Sequence, residues 1–234
     1  MKNKNHLFVI CGKSNSGKDS VMRGIEAIIK HNEFNLQPLV THTTRPPRPG
    51  EVNGVDYFFD TVNDHDNYLM ENKICEVRKY EIINDNSKLE EWKYYTLIDD
   101  IKPNKNYIMI NTPEGIVSII NYLQDEKSNI ENEILVHAIW IECDDKTLIE
   151  RAMNREIKKL VPNYKELMRR FVADIDDFSD NVLRKLTVKA STVKVFNYLT
   201  PIPITHRIFS YIVETILDTS DKSFEVTDTI CDEK

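Results

Sequence analysis

The 234-residue sequence lacks an apolar run approaching the length needed to cross a bilayer, and it has no internal repeat or long low-complexity segment. It also lacks an excess of positive charge, since 31 lysines and arginines against 38 aspartates and glutamates give a net charge of −7 at pH 7. This charge argues against broad electrostatic binding to nucleic acid or to an anionic membrane. The negative net charge is still compatible with an enzyme that binds phosphates, because such an enzyme needs only a local positive pocket.

Metal, disulfide and targeting patterns are equally scarce. The four cysteines form no CxxC pair and the six histidines form no HxxxH spacing, so neither a structural metal site nor a disulfide framework is indicated. The first apolar run, Leu7 to Cys11, is too short for a signal-peptide core and is followed directly by glycine and lysine. We interpret this run as a first β-strand, and we expect a cytoplasmic protein with no nucleic-acid or membrane partner.

The sequence does contain short apolar runs that alternate with helical patterns. Runs typical of buried strands occur at 107–110, 135–141 and 193–196, which predicts an α/β fold with a largely parallel sheet. A polar, aromatic stretch from 41 to about 96 interrupts this alternation, so we predict an inserted small domain there. A helix that begins after Pro162 is predicted to bury one apolar face. That face consists of Tyr164, Leu167, Phe171, Ile175 and Phe178.

A glycine-rich loop lies between the first strand and the first helix, with the spacing GxxxxGK. Its backbone N–H groups and the helix N-terminus suit the phosphates of ATP, and Lys18 would reach the β- and γ-phosphates. Asp19 stands where Ser or Thr usually binds Mg²⁺, so we predict a Mg²⁺ cofactor at Asp19 and Ser20. The predicted ATP-binding residues are Gly12, Ser14, Asn15, Ser16, Gly17, Lys18, Asp19 and Ser20. The alternative is a strand–helix turn that binds no ligand.

A second motif, THTTRPPRPGEVNGVDYFF, occupies residues 41–59. Arg45 and Arg48 lie three apart in a loop stiffened by prolines, and Tyr57 adds a hydroxyl donor, a set of groups suited to a phosphate. The alternative is a polyproline II segment, since the PxxP spacing fits a short SH3-type ligand. The phosphate loop upstream favours phosphate binding.

With these two motifs the sequence resembles the guanylate kinase family from Leu7 to about Phe171. The resemblance implies a P-loop NTPase core with a parallel sheet, an inserted subdomain that binds the nucleoside monophosphate, and a small helical lid. It also implies transfer of a phosphoryl group from ATP to a nucleoside monophosphate, GMP or dGMP. We therefore predict the core at 1–40 and 101–217, the insertion at 41–100, the lid at about 154–170 and a loose tail at 218–234.

By the same resemblance the acceptor is bound by Thr41, Arg45, Arg48, Tyr57, Glu76, Tyr95 and Thr96. The arginines and Tyr57 would hold its phosphate, and Glu76 would recognise guanine. Tyr95 and Thr96 resemble the family's Tyr-Tyr-Gly-Ser/Thr, but the glycine is missing and an insertion from about 82 to 91 precedes them.

Three features depart from the family or leave the prediction open. The family's Asp-x-Asp-x-x-Gly segment matches Ile110–Gly115, where both acids are gone, so we expect weaker base selectivity and altered magnesium binding. Residues 179–190 have no assignment. The oligomeric state also stays open.

The lid is the last predicted part of the site. Arg155, Arg169 and Arg170 lie in this segment and Arg151 lies just before it, and family arginines there close over the transferring phosphoryl group. We assign Arg155 and Arg170, with Lys18, to catalysis. The alternative for each lid arginine is a solvated charged helix face.

Two other functions compete with a guanylate kinase. One is a related P-loop kinase for another acceptor, a deoxynucleotide or a ribose bisphosphate, because ribose bisphosphate kinases also carry GKDS in the loop. The other is a non-catalytic guanylate-kinase-like binding module. Such modules typically lose the loop lysine, whereas this chain has Lys18.

Overall fold

The computed structural model of the chain describes residues 4–32, 34–48, 50–83, 89–125, 133–160, 162–197, 201–217 and 229–230. Its strands are β1 (Lys4–Cys11), β2 (Gln37–Pro38), β3 (His42–Thr43), β4 (Phe58–Phe59), β5 (Ile74–Ile83), β6 (Leu89–Leu97), β7 (Tyr107–Ile110), β8 (Glu133–Glu142), β9 (Ser191–Phe196) and β10 (Thr229–Ile230). Its helices are α1 (Lys18–His31), α2 (Val62–Met70), α3 (Pro113–Gln124), α4 (Asp145–Ile157), α5 (Tyr164–Asp177), α6 (Asp180–Lys189) and α7 (Pro201–Leu217).

The large sheet has the strand order β10-β9-β8-β1-β7-β2, and every neighbouring pair in it is parallel. Its central strand β1 is apolar from Leu7 to Cys11, and these residues are fully buried because helices cover both faces of the sheet. α3 and α6 cover one face, while α1 and α7 cover the other. The predicted α/β fold with a parallel sheet is confirmed.

A separate four-stranded sheet, in the order β4-β3-β6-β5, is built entirely from residues between 42 and 97. β5 and β6 form a long antiparallel hairpin, and β3 pairs antiparallel with β6. α2 follows β4 and is fixed at its start by a capping box between Thr61 and Asp64. This sheet lies inside the predicted insertion at 41–100, although its role as an acceptor domain stays a prediction.

Several expectations meet a different structure or fall outside it. The unassigned residues 179–190 contain α6, which buries Leu186 against the core. Most of the predicted loose tail and part of the predicted insertion, residues 84–88, lie outside the described residues, but 229–230 of the tail form β10 beside β9. Within the described ranges, no helix is long and apolar enough to cross a membrane.

The predicted buried face of α5 is confirmed at Leu167 and in part at the half-buried Phe171 and Phe178, but it is wrong at Tyr164 and Ile175. Tyr164 and Ile175 are 45% and 71% exposed, whereas Leu167 and the acidic Asp174 are buried. The helical period was correct, but a carboxylate occupies the inward face, and a pattern based on apolar residues alone cannot predict this.

Candidate active site

The phosphate loop runs from the carboxyl end of β1 to the first turn of α1. Gly17 precedes the helix with φ +97° and Asn15 has φ +66°, so the backbone turns through the left-handed region that glycine and asparagine tolerate best. A Cβ on Gly12 would lie 2.6 Å from the carbonyl oxygen of Ile141. The two glycines therefore allow both the turn and the close packing of this loop.

Two groups of the loop are available to an anion. The Ser16 hydroxyl is buried and has no hydrogen-bond partner in the part of the chain that the structure describes. The Lys18 ammonium makes one long contact, 3.4 Å from the carbonyl oxygen of Lys13. Together with the N-terminus of α1, these donors fit the phosphates of a nucleotide.

Two residues from distant parts of the chain hold the loop backbone. Asn197, directly after β9, donates its side-chain amide to the Ser16 carbonyl oxygen at 2.8 Å. Arg151 of α4 donates to the carbonyl oxygens of Asn15 at 3.5 Å and Asn197 at 3.3 Å. Sequence reasoning missed Asn197, although its place at the carboxyl end of a predicted parallel strand is the usual signal for a ligand-side residue.

A lid-side carboxylate also binds the loop. Asp174 of α5 accepts the backbone N–H of Ser14 at 2.9 Å and the Ser14 hydroxyl at 3.2 Å. Burial raises the pKa of Asp174, while the hydrogen bonds from Ser14 and the nearby charge of Lys18 oppose that rise. A carboxylate thus accepts a hydrogen bond from an N–H group of the loop that is predicted to bind phosphate. No sequence pattern indicated this contact.

The predicted magnesium ligands lie at the start of α1. Asp19 is exposed in its first turn, and the Ser20 hydroxyl accepts a hydrogen bond from Arg23 at 3.4 Å. The described ranges hold no cluster of three or more acidic, histidine or cysteine side chains that could bind a metal. Mg²⁺ is often bound by one or two carboxylates together with substrate phosphates and water, so an exposed carboxylate beside Lys18 fits that mode.

On the small sheet, Arg45 lies at the centre of a polar cluster. Its guanidinium is 2% exposed and forms a bidentate pair with Glu51, with both N–O distances 2.9 Å. Its Nε donates to the Tyr94 hydroxyl at 3.0 Å, and its Cζ lies 5.5 Å from the centre of the Tyr57 ring. The hydrogen bond from Arg45 lowers the pKa of Glu51, so this pair stays ionised at neutral pH.

Two further predicted phosphate ligands flank this cluster. Tyr57 is half-buried, and burial raises the pKa of its hydroxyl, which therefore stays a donor at neutral pH. The Arg48 side chain is exposed, and its backbone N–H donates to Glu51 at 2.7 Å. Thr41 is half-buried, and its carbonyl oxygen accepts the N–H of Phe58, which joins β4 to the sheet.

The assignment of Tyr95 to this site is corrected by the structure. Tyr95 is fully buried, its hydroxyl donates to Asp60, and its ring stacks on His42. Neighbouring strand residues point to opposite faces, so Tyr94 is the tyrosine that contacts Arg45. The missing glycine and the preceding insertion concealed which of the two faces the site.

Glu76 and Thr96 lie directly opposite each other on β5 and β6. The Glu76 side chain is 1% exposed, and its two oxygens accept the Nε of Arg78 at 2.7 Å and the hydroxyl of Thr96 at 3.3 Å. Glu76 lines a cleft of about 400 Å³ between β5, α3 and α5. Arg78, Thr112, Glu114 and Asp177 also line this cleft.

Residues 110–115, where the family's two acids are missing, lead into the first turn of α3. The Thr112 hydroxyl accepts the N–H of Gly115 and caps the helix. Asn111 is buried, and its amide nitrogen has no partner within the described ranges. A buried donor therefore stands beside the cleft where the family pattern has carboxylates.

Within the described residues, Arg151 donates to the phosphate loop, whereas the other lid arginines show no hydrogen bond to it. Arg169 and Arg170 both donate to Glu166, at 2.7 and 2.9 Å, and these bonds, that from Arg169 first, lower the pKa of Glu166 to about 2. Arg155 is exposed near the end of α4. The catalytic roles of Arg155 and Arg170 stay predictions.

Comparison with known proteins confirms the resemblance for the first part of the chain. Residues 4–89 match the sequence model of the guanylate kinase family. Over 80 residues the chain is 39% identical to the guanylate kinase of Bacillus subtilis (strain 168), which covers 34% of this chain and 38% of that protein. It is also 38% identical over 80 residues to the guanylate kinase of Mesoplasma florum, covering 34% of this chain and 26% of that protein. The matched part therefore spans well under half the length of these relatives.

The fold as a whole is similar to the crystal structure of a guanylate kinase from Anaplasma phagocytophilum. The TM-score is 0.51 at 14% sequence identity, and the match covers 93% of this chain and 89% of that chain. At this identity the likeness shows the fold alone. The sequence match contains the phosphate loop, Arg45 with Glu51 and Tyr57, and Glu76, whereas Tyr94, α4 and α5 lie beyond it.

Proposed function

We propose that this chain, which matches the guanylate kinase family over residues 4–89, is an ATP-dependent nucleoside monophosphate kinase that converts GMP or dGMP to the diphosphate. The observation that carries the proposal is that one chain has both a phosphate loop with Lys18 and a small sheet with a buried Arg45 cluster and a buried glutamate. A kinase needs both a donor site and an acceptor site, and these two groups of residues suit the two substrates.

Phosphoryl transfer depends mainly on positioning and on neutralising charge. The loop N–H groups, the Ser16 hydroxyl and Lys18 would bind the ATP phosphates, while Arg45, Arg48, Tyr57 and Tyr94 would hold the acceptor phosphate. Asp19 and Ser20 would hold Mg²⁺, which supplies further charge neutralisation when bound. Arg155 and Arg170 would approach the phosphates when the lid closes, and Arg170 would then leave Glu166.

The base preference rests on Glu76. Guanine presents two adjacent donors, N1–H and the 2-amino group, and an ionised carboxylate accepts both. Adenine presents a lone pair at N1, which would leave the buried carboxylate facing an acceptor. Such a mismatch costs on the order of 1–3 kcal/mol or more, so GMP and dGMP should be preferred over AMP.

A coupled ADP-release assay with GMP, dGMP, AMP, CMP, dTMP and a ribose bisphosphate tests this function. We expect turnover with GMP and dGMP, and strongly reduced GMP turnover in Glu76→Gln. Glu71→Gln is a matched control, because Glu71 is an exposed partner of Lys73 on the same subdomain. A preference for ribose bisphosphate would support the related-kinase alternative, and no ADP release with any acceptor would favour a binding module. The cytoplasmic location stays a prediction.

A further inference from the structure

Arg78 lies two residues after Glu76 on β5, so both side chains point to the same face of the strand. Its Nε donates to Glu76 at 2.7 Å, and its side chain is 24% exposed. Within the described ranges it makes no other side-chain hydrogen bond or ion pair. Because a guanidinium carries five N–H donors, four of them remain for a ligand.

The position of these donors matches the cleft beside Glu76. Both Glu76 and Arg78 line it, together with the start of α3 and the end of α5. A carboxylate has room for about four hydrogen bonds, so Glu76 can keep Arg78 and Thr96 and still accept two donors from a base. Glu76 and Arg78 therefore place carboxylate acceptors and guanidinium donors side by side at one cleft.

We infer that Arg78 is a second base-recognition residue, which donates its Nη hydrogens to O6 and N7 of the guanine whose N1–H and 2-amino groups bind Glu76. In guanine, O6 is next to N1–H, so a guanidinium and a carboxylate that lie side by side match two adjoining edges of the base. Arginine is the usual bidentate partner of O6 and N7. This inference rests on the proposed function and names the part of the acceptor that Arg78 contacts.

The same pair would preserve base selectivity without the family's two acidic residues. Arg78 supplies the positive partner that a buried Glu76 carboxylate needs. Adenine would place its 6-amino donors against the Arg78 cation, so this residue rejects adenine as well as binding guanine. Arg78 would then offset the weaker base selectivity that the missing acids at 110–115 predict.

The test compares GMP with 7-deaza-GMP, which lacks the N7 acceptor, for the full-length wild type, Arg78→Ala and Arg78→Lys. Both kcat/KM with saturating ATP and the equilibrium Kd are measured. Wild type should favour GMP by about tenfold, since a hydrogen bond from a charged donor is lost in the analogue. Arg78→Ala should bind both nucleotides weakly and with a ratio near one. Arg184→Ala, an exposed arginine of α6, is the matched control and should keep the wild-type ratio.

A purely structural role, in which Arg78 only holds Glu76 in place, predicts a different pattern. Arg78→Ala would then weaken GMP and 7-deaza-GMP equally and keep the wild-type ratio, which would overturn the inference. Equal use of both nucleotides by wild type would also overturn it, while leaving the kinase proposal intact. If the wild type neither binds nor phosphorylates GMP, both the proposed function and this inference are overturned.

Discussion

The Arg45 cluster and the phosphate loop differ in where along the chain the partners of their charged and polar groups lie. On the small sheet the buried Arg45 and Glu76 each have an ionic partner close in sequence, six residues away for Arg45 with Glu51 and two for Glu76 with Arg78. The loop is held by residues far along the chain, since Asp174 is 160 positions from Ser14 and Asn197 is 181 from Ser16. The Ser14 N–H of the loop donates to the Asp174 carboxylate. This carboxylate carries the same sign of charge as the expected phosphate ligand.

This difference indicates which site is ready before substrates bind. The Arg45 cluster is preorganised, because the Arg45 guanidinium is fixed by its bidentate pair with Glu51 and by Tyr94. If ATP binds the loop as proposed, a phosphate would replace Asp174 at the Ser14 N–H, so ATP binding should be coupled to movement of α5. The following variants test the two halves of this comparison.

The largest effect is expected for Lys18→Ala. Losing this charge in the transition state should lower kcat by roughly 10²–10³-fold while the fold stays intact, because the side chain makes one long contact with the rest of the described chain. The measurement is kcat with GMP and ATP, with thermal unfolding to check the fold. Lys13→Ala, which removes an exposed partner of Asp145, is the control and should stay close to wild type. Near-normal turnover in Lys18→Ala would remove the loop from the catalytic site.

Arg45→Lys should harm the acceptor side selectively. Lysine cannot reproduce the fork that binds Glu51 and a phosphate together, so kcat/KM for GMP should fall by about tenfold or more while the Kd of ATP is unchanged. Steady-state kinetics and calorimetry measure the two quantities. A loss of ATP affinity with unchanged GMP use would mean that the cluster serves the donor.

Asp174→Ala should tighten ATP binding, because the phosphates would no longer compete with a carboxylate for Ser14. A gain of several-fold is expected for removing one charged competitor. Burial raises the pKa of Asp174, so at pH values above this pKa the ionised carboxylate lowers the free energy of unfolding. Protonation removes this destabilisation as the pH falls through the pKa. Wild-type ATP affinity should therefore approach that of the variant on acidification.

The control for this experiment is Glu150→Ala, an exposed carboxylate of α4. It should leave the Kd of ATP and its pH dependence unchanged. Weaker ATP binding in Asp174→Ala would mean that Asp174 positions the loop rather than competing with the nucleotide.

The smallest and most specific effect separates two adjacent tyrosines. Tyr94→Phe removes the hydroxyl that binds Arg45, so the KM for GMP should rise a few-fold with little change in stability. Tyr95→Phe removes a buried bond to Asp60, so it should lower the free energy of unfolding by about 1–2 kcal/mol and leave KM unchanged. Chemical denaturation and steady-state kinetics distinguish the pair, and a reversed pattern would restore Tyr95 to the site.

What could be predicted from the sequence depended on how local each feature is. The phosphate loop and the Arg45 motif are contiguous, and their turn chemistry is written in glycine and proline, so both were found. The choice between Tyr94 and Tyr95 depends on the pairing of β6 with β3, which places Tyr95 opposite His42. Asp174 and Asn197 reach the loop only through the packing of distant elements, and one sequence alone carries no signal for that packing.

The central claim is that this chain moves a phosphoryl group from ATP to a guanine nucleotide. Its most direct test is incubation of the full chain with Mg²⁺, ATP labelled at its γ-phosphate, and GMP or AMP, followed by separation of the products. The proposed function predicts label in GDP, little label in ADP formed from AMP, and strongly reduced labelling of GDP in Lys18→Ala. Label that stays in ATP or appears only as free phosphate would contradict it.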